Sequence, residues 1–396
     1  MTTNDSQDLK GWQEEPPEDS WQTIAEITGL QNPLFDRTLF ALGYDFTSNV
    51  YIIQGDYLSI IDPGNDYLIF MELFRERGLD PTRIKKIALT HGHVDHAMAT
   101  MEFFRGYPGY QGKIDLEVIL HEAGPLEFKE LLKQAGVKIT EVVGGETINL
   151  SGMDLEVIHT PGHTLDGACY YHAPTKTLFT GDTVLPEAMA DMDQGAGGRL
   201  DHYMYSLRTL RKLEVDHILP GHGGLAPLVG RRVLADTYDG LIQKALGENV
   251  PTMEGAGTMA QNGNLEEALF LVNKELANTP DHPRALEFKA FLLNDLGRNE
   301  EALPVFDQLL EQPKIHPYLL VGKGCALLGL GRYEESLLLF DRVISENPQV
   351  QEAQVYKGMA LYLSGRPEEA MEIEAFRREF TDRLQQELEP KAGTKT

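Results

Sequence analysis

The sequence predicts an α/β domain followed by an all-α domain of helical hairpins. Before about residue 247, short runs rich in β-branched and aromatic residues alternate with glycine and proline turns, which is typical of strands in a mixed fold. In the last third, glycines recur at an interval of 34 residues, which indicates a helical repeat. Ten of the 12 histidines stand at or before His222, so the two parts also differ in their chemistry.

Composition narrows the classes of function. The chain has 396 residues, of which 42% are hydrophobic and 24% charged, a globular composition long enough for two or three domains. Lysines and arginines number 35 against 61 acidic residues, a net charge of −26 that repels phosphate backbones and anionic lipids. We therefore expect neither a nucleic-acid partner nor a membrane partner.

The N-terminus and the cysteines predict the compartment. Residues 1–21 contain six acidic residues and no apolar stretch of the kind that a secretory signal carries. Cys169 and Cys325 are the only cysteines and lie far apart, which excludes a disulfide framework. A reducing cytoplasm is the predicted location.

The first elements lead directly to a histidine cluster. Residues 50–53 and 57–61 read as the two arms of a hairpin that turns at Gly55-Asp56 and closes at Asp62-Pro63-Gly64. Apolar residues at three-residue spacing predict a helix over about 67–77. Residues 84–89 predict another short strand, which ends at the cluster.

The repeat is carried by Gly263, Gly297, Gly331 and Gly365, each followed five positions later by a small residue. This pattern resembles the tetratricopeptide repeat, in which a glycine turns the chain between two antiparallel helices and the small residue lets them approach closely. Two aromatic residues, Phe306 and Phe340, are expected to fill the groove between helices, and the fourth copy lacks this aromatic. Pro280 and Pro348 are expected to end the second helix of their copies. Such an array predicts a protein partner or self-association.

The strongest chemical signal is the run Thr90-His91-Gly92-His93-Val94-Asp95-His96. Burying several imidazoles and a carboxylate together is costly unless they share a strong partner, and a divalent metal supplies one. His91 and His93 alternate along extended backbone and can meet one ion. Asp95 and His96, beyond the next bend, can meet a second.

Three further glycine turns follow in order, at Pro161-Gly162-His163, Gly181-Asp182 and Pro220-Gly221-His222. Together with the histidine cluster, this set closely resembles the metallo-β-lactamase superfamily. The resemblance covers about residues 32–247 and implies an αββα sandwich with a dinuclear site at one edge. The predicted organisation is therefore an acidic extension (1–31), a metallo-β-lactamase-like catalytic domain (32–247), a repeat domain (251–380) and a tail (381–396).

The resemblance implies a role for each ligand position. His91, His93 and His163 would hold the first metal, and Asp95, His96 and His222 the second. Asp182 would bridge the two ions, and Asp62 matches an aspartate that lies behind the histidine loop. The implied cofactors are two divalent ions, with zinc favoured over iron or manganese.

The predicted activity is hydrolysis of a small-molecule ester, thioester, lactone or related bond by a metal-bound hydroxide, with Asp95 orienting the water and accepting its proton. Buried Cys169 is expected to belong to the core. The loop 185–200 is expected to form a flexible flap that selects the substrate, with Arg199 as its cation.

Two other interpretations remain open at this point. Persulfide dioxygenases share the fold and use two histidines and an aspartate on a single iron, which would be His91, His163 and Asp182. Alternatively, the repeats carry the function as a binding module and the catalytic domain is regulated or vestigial. The metal content of the purified protein would distinguish the dioxygenase from a dinuclear hydrolase. Hydrolysis that is lost in His93→Ala would argue against a vestigial catalytic domain.

Overall fold

The computed structural model describes residues 21–44, 46–66, 74–106, 115–247, 249–311 and 316–388. It divides into two compact units, Met1–Ala245 and Leu246–Thr396. The first unit is built on two β-sheets and the second consists of helices, so the predicted fold class is confirmed. None of the helices in the described part of the chain combines the length and apolar character that a membrane span requires.

Within the described residues, twelve strands form the two sheets. The seven-stranded sheet follows chain order from β1 to β7, and the five-stranded sheet has the order β12-β11-β10-β9-β8. The strands are β1 (Gln22–Thr23), β2 (Thr38–Ala41), β3 (Val50–Gln54), β4 (Leu58–Ile61), β5 (Ile84–Ala88), β6 (Glu117–His121), β7 (Lys138–Val142), β8 (Thr147–Leu150), β9 (Met153–His159), β10 (Ala168–His172), β11 (Thr177–Gly181) and β12 (His217–Pro220).

The predicted hairpin is present. β3 and β4 pair antiparallel with Ile52 opposite Ile60, and β4 then pairs parallel with β5. Because the carboxyl ends of parallel strands meet at one edge, Asp62 and the segment after β5 lie side by side, and the Asp62 N–H donates to the carbonyl of Ala88. The predicted helix over 67–77 lies mostly outside the described residues, and its last part, 74–77, is helical.

The two sheets face each other across a shared core. Tyr51 and Ile53 of the first sheet belong to the same buried cluster as Leu155 and Phe179 of the second. Alternation along β9 shows which face points inward, since Leu155 and Val157 are buried whereas Asp154 and Glu156 are exposed. The helices of this unit are α1 (Ile24–Thr28), α2 (Val94–Gly106), α3 (Leu126–Gln134), α4 (Leu200–Leu210) and α5 (Gly230–Leu246).

The outer layers are helical. Ala97 and Met101 of α2 and Leu132 of α3 join a second buried cluster on the other face of the first sheet. On the side of the second sheet, Ser206 of α4 donates a hydrogen bond to the carbonyl of Pro161 at the end of β9. The layer order of helix, sheet, sheet and helix is therefore that of the αββα sandwich.

The second unit is a run of antiparallel hairpins. Its helices are α6 (Thr252–Gln261), α7 (Leu265–Asn278), α8 (Pro283–Asp295), α9 (Asn299–Leu310), α10 (Pro317–Gly329), α11 (Tyr333–Glu346), α12 (Gln351–Leu363), α13 (Pro367–Glu372) and α14 (Glu374–Leu388). Each of the four repeat glycines lies between the two helices of a hairpin and has a positive φ, from 71° to 85°. An L side chain rarely adopts that conformation, which explains glycine at these turns.

The fourth repeat replaces its missing aromatic residue from the next helix. The 34-residue period places the aromatic at position 374, which is an exposed glutamate. Here the helix α13 ends before Ile373 and the next helix, α14, begins immediately after it. The break brings Phe376 against Gly358, so closely that a Cβ on Gly358 would lie 2.3 Å from the Cβ of Phe376. Gly358 stands 34 residues after Gly324, which packs against Phe340 in the same way. The repeat core is therefore preserved although the sequence pattern is interrupted.

Phe340 is expected to be a major source of stability in the second unit. Its ring is 0% exposed and packs on Gly324 and Tyr356. Phe340→Ala should lower the free energy of unfolding of the repeats by about 3–5 kcal/mol, because a large cavity replaces the ring. Urea unfolding followed by circular dichroism measures this change. Leu338→Ala on the same helix is the matched control, since Leu338 is 71% exposed and its loss should cost about 0.5 kcal/mol or less. Equal losses in the two variants would contradict the packing described.

Candidate metal centre

The fold brings the seven predicted ligand residues together at one edge of the sandwich. Each stands just beyond the end of a strand or at the start of a helix: His91, His93, Asp95 and His96 after β5, His163 after β9, Asp182 after β11 and His222 after β12. Their ligand atoms form three overlapping groups in which all atoms lie within 4.8 Å of one another: His91, His93 and His163; His91, His96 and Asp182; and Asp95, His96 and His222.

The first group contains three imidazoles. The Nδ1 atom of His93 lies 3.0 Å from the Nε2 atoms of both His91 and His163. A ring N–H could bridge a pair of these nitrogens, but three lone pairs directed at a common point repel one another unless a cation lies between them. Neutral imidazole is a common ligand of zinc and of other divalent transition metals.

The group of Asp95, His96 and His222 also combines two imidazoles with a carboxylate. The Nε2 atoms of His96 and His222 are 3.2 Å apart, and the Oδ2 atom of Asp95 lies 3.1 Å from His222 Nε2. His96 is completely buried, whereas the side chains of Asp95 and His222 are about one third exposed. This group therefore opens to solvent on the side of Asp95 and His222.

Asp182 lies between the two groups. Its Oδ2 atom is 3.7 Å from Nε2 of His163 and 3.6 Å from Nε2 of His222, one residue from each group. Its Oδ1 atom is buried and lies 3.3 Å from Nε2 of His96 without forming a well-aligned hydrogen bond. A buried carboxylate oxygen without a well-formed hydrogen bond is rare, and a bound cation is one of the few ways to satisfy it. The residues present therefore fit a pair of divalent ions with nitrogen and oxygen ligands.

The charges within the centre are strongly coupled. Burial lowers the pKa of His91 well below its usual value, so this imidazole is neutral. Burial acts in the same direction on His96, but Asp182 and Asp62 outweigh it and raise the pKa of His96 well above its usual value. Burial opposes ionisation of Asp182, yet the nearby imidazoles, with His96 first, hold its pKa well below the usual range.

Asp62 orients His96 from behind. It is buried and accepts hydrogen bonds from the backbone N–H of Thr90 at 2.7 Å, from the Thr90 hydroxyl at 2.6 Å and from Nδ1 of His96 at 2.9 Å. A proton on Nδ1 leaves Nε2 of His96 free to act as a ligand. Asp62 has a φ of 50°, an uncommon conformation for a residue other than glycine. The structure thus puts Asp62 behind the histidine loop, where the resemblance implied an aspartate.

Sequence reasoning missed Asn49, which holds the turn that carries His222. Asn49 is 0% exposed. Its Nδ2 atom donates to the carbonyls of Pro220 at 2.9 Å and Gly223 at 2.8 Å, and its backbone N–H donates to the carbonyl of Gly221 at 2.6 Å. Asn49, in the loop before β3, therefore donates hydrogen bonds to three carbonyls around His222. A single asparagine in a loop gives no sequence signal of such a role.

Asn49→Ala is expected to destabilise the first unit by about 3 kcal/mol, because it removes the bonds donated to Pro220 and Gly223 and the acceptor of the Gly43 N–H, although Pro220 keeps the Tyr51 hydroxyl as a donor. Urea unfolding followed by tryptophan or tyrosine fluorescence measures the change. Asn149→Ala is the control on the same unit, since Asn149 is exposed, and we expect a cost of about 1 kcal/mol or less. A loss in Asn49→Ala no larger than in the control would show that the turn does not need Asn49.

Other residues singled out by sequence take structural positions. Cys169 is 0% exposed and burial raises the pKa of its thiol to about 11, which excludes it as a thiolate nucleophile at neutral pH. Arg199 is exposed and pairs with Asp201 at 2.8 Å. The rings of His121 and His159 stack on each other with centroids 3.9 Å apart.

The loop 185–200 was expected to be a flexible flap, and the structure gives its glycines a different role. A Cβ on Gly198 would lie 2.3 Å from the carbonyl oxygen of His163, so glycine permits close approach of the loop to a candidate ligand. Two aspartates of this loop, Asp191 and Asp193, contact the histidines of the first group, and sequence reasoning gave neither a role.

Comparison with known sequence families agrees with the division of the chain into two units. Residues 43–222 match the sequence family described as the metallo-beta-lactamase superfamily. Residues 260–317 and 321–379 match the tetratricopeptide repeat.

Among curated proteins, the chain is 27% identical over 188 residues to an atrochrysone carboxyl ACP thioesterase of Aspergillus fumigatus, covering 47% of this chain and 54% of that protein. It is also 27% identical over 182 residues to an atrochrysone carboxyl ACP thioesterase of Paecilomyces divaricatus, covering 46% of this chain and 51% of that protein. The chain thus spans about half the length of these relatives.

Among solved structures, a metallo-beta-lactamase family protein from Thermus thermophilus aligns with 22% identity and a TM-score of 0.42, covering 60% of this chain and 91% of that one. The matched ranges contain all seven ligand positions and all four repeat glycines. The first unit therefore contains a metallo-beta-lactamase-type domain at residues 43–222, and the second contains tetratricopeptide repeats.

Proposed function

We propose that the first unit is a hydrolase that binds two divalent metal ions, zinc in preference to iron or manganese. The observation that carries the proposal is Asp182, whose Oδ2 atom lies within 3.7 Å of Nε2 of both His163 and His222, while its buried Oδ1 atom lies 3.3 Å from Nε2 of His96 without a well-aligned hydrogen bond. A carboxylate in that position is suited to bridging two cations.

The proposed ligand sets follow the groups of atoms. His91, His93 and His163 hold the first ion, Asp95, His96 and His222 hold the second, and Asp182 contacts both. When bound, the ions would lower the pKa of a water molecule toward neutrality and polarise a carbonyl oxygen. The protein then needs no serine or cysteine nucleophile, in keeping with the burial of Cys169.

Asp95 is the residue that we propose to orient the water and accept its proton. Burial opposes its ionisation, but the hydrogen bond from His222 and the charge of His96 outweigh burial and lower the pKa of Asp95. The carboxylate is therefore ionised at neutral pH and can accept a proton. Its side chain is 33% exposed, so a substrate can reach it from solvent.

The substrate proposed is an acyl thioester, within the wider class of esters, thioesters and lactones. Support comes from the two fungal relatives, both named as thioesterases that act on an acyl carrier protein, although each is matched over only about half of its length. The proposed metal centre suits this class of substrate, because thioester hydrolysis requires an activated water molecule and stabilisation of an oxyanion.

The activity test uses the full chain loaded with zinc and an acyl thioester of N-acetylcysteamine, with an oxygen ester and a lactone of the same acyl length. Release of thiol measures hydrolysis. We expect turnover of the thioester that falls to background in His93→Ala. His172→Ala is the control. His172 stands at the end of β10 remote from the ligand loops and bonds the Thr175 hydroxyl, so this variant should keep full activity. Absence of turnover on all three substrates would contradict the proposal.

Metal analysis addresses the dioxygenase alternative. That reaction would use one iron on His91, His163 and Asp182 and would leave Asp95, His96 and His222 without an ion. The convergence of the latter three side chains favours a second ion. One iron per chain together with consumption of oxygen would contradict the hydrolase, and two zinc ions would contradict the dioxygenase.

For the repeats we propose binding of a protein partner or of a second copy in the cytoplasm. Tyr318 on α10 and Tyr362 and Leu363 on α12 are between 41% and 52% exposed, and exposed aromatic residues are common at protein interfaces. A chain ending at Gly247 should then stay soluble, keep its metals and hydrolyse the thioester at nearly the full rate. Aggregation of the shortened chain that is reversed by adding residues 248–396 would instead assign the repeats a structural role.

A further inference from the structure

The loop between β11 and α4 reaches the first imidazole group at two points. The Oδ2 atom of Asp193 lies 3.0 Å from Nε2 of His93. Two residues earlier, the backbone carbonyl of Asp191 accepts a hydrogen bond from Nδ1 of His163. Both contacts fall on the ring nitrogen that points away from the other imidazoles of the group.

The contact with Asp193 determines which nitrogen of His93 carries the proton. A carboxylate accepts and cannot donate, so the hydrogen of His93 is on Nε2 and the lone pair is on Nδ1. Nδ1 is the atom that lies 3.0 Å from both His91 and His163. Asp193 therefore favours the tautomer of His93 that can act as a ligand within this group.

Asp193 is itself held in place by its own loop. Its Oδ1 atom accepts hydrogen bonds from the N–H groups of Gly195 at 2.8 Å and Ala196 at 3.2 Å. Its backbone N–H donates to the carbonyl of His163 at 2.8 Å, and its carbonyl accepts from Gly198 at 2.7 Å. The carboxylate is thus oriented before any ligand arrives, although its side chain is 46% exposed.

We infer that Asp193 is the positioning residue of His93 and that, through it, metal binding in the first group orders the loop 191–198. This inference rests on the proposed metal centre and adds to it a residue outside the seven ligands. A bound ion holds the rings of His93 and His163, and these rings are the anchors of the loop. Loop order and metal affinity are then coupled, and each must strengthen the other.

The test compares Asp193→Asn with Asp191→Asn in the full chain. In Asp193→Asn the Oδ1 atom can still cap Gly195 and Ala196, but the amide presents a donor to the N–H of His93 and favours the wrong tautomer. The control changes the same residue type in the same loop, and the carboxylate of Asp191 is 95% exposed and bonds only Lys244, at 3.0 Å, among the described residues. Its contact with His163 is through the backbone and survives the substitution.

Two readouts are measured without reference to activity. Competition between the metal-free protein and a zinc indicator gives the affinity of each ion, and we expect one of the two ions to bind about 10–100-fold more weakly in Asp193→Asn and unchanged in Asp191→Asn. Hydrogen exchange gives the order of the loop, and zinc should slow exchange at residues 193–198 in the wild type more than in Asp193→Asn.

Asp193→Ala provides a second variant if Asp193→Asn does not fold, and it should also weaken one ion selectively. Wild-type zinc affinity in the Asp193 variants, or equal weakening in Asp191→Asn, would overturn the inference while leaving the proposed hydrolase intact. A wild-type protein that binds no zinc would overturn both.

Discussion

Asp182→Ala is expected to abolish hydrolysis and to lower the zinc content below two ions per chain. Asp182 is the carboxylate closest to both imidazole groups, and its removal leaves His96, His163 and His222 without the charge that lies between them. Asp182→Asn should also bind zinc poorly, because the amide preserves shape but carries no charge. Zinc per chain, measured by mass spectrometry of the metal, and the rate of thioester hydrolysis together check the prediction.

A matched substitution separates this effect from a general loss of charge. Asp154 lies exposed on β9 and accepts a hydrogen bond from Asn149, remote from the seven ligands. Asp154→Ala should retain two zinc ions and full activity. If Asp182→Ala keeps both ions, or if Asp154→Ala loses as much activity, the proposed bridging role is wrong.

Removal of the metal by a chelator is expected to lower the unfolding temperature of the first unit by about 10 °C. An ion present at about 1,000 times its dissociation constant stabilises the folded state by about 4 kcal/mol, and in a domain of this size each kcal/mol corresponds to about 2–4 °C. Without the ions, the lone pairs and charges of seven crowded side chains lose their common partner.

Differential scanning calorimetry with and without the chelator measures the shift, and added zinc should reverse it. The transition of the repeats provides an internal control, since the described ligand residues all belong to the first unit and the repeats form a separate compact unit. Loss of metal with no movement of the first transition would argue that these residues do not hold structural ions. An equal shift of both transitions would point to a general effect of the chelator.

The pKa shifts give this experiment a pH dependence. Asp182 and Asp62 raise the pKa of His96, so a proton competes with the metal for this imidazole. Metal affinity should therefore fall as the pH falls, and protein dialysed against metal-free buffer should retain less zinc at pH 6 than at pH 8.

Local patterns in the sequence were sufficient to predict both units, and the candidate ligand set followed from the family resemblance that these patterns carry. The run from His91 to His96 places four candidate ligands within six residues, so it predicts metal binding without information on distant contacts. The four repeat glycines mark turns that need a positive φ, a requirement that each position meets on its own. The hairpin at 50–61 follows from alternation and a turn, which are also local signals.

The tertiary structure alone decided which residues support these motifs. Asn49 reaches carbonyls about 170 positions away, and Asp193 reaches His93 across 100 positions. Phe376 replaces an aromatic that the periodicity places two residues earlier, because a break at Ile373 shifts the helix. Periodicity and turn chemistry act over a few residues, whereas these contacts depend on how strands pair and loops cross at the edge of a sheet. The sequence by itself therefore predicted the candidate ligands and the repeat, and only the fold determined the side chains that contact the candidate ligands.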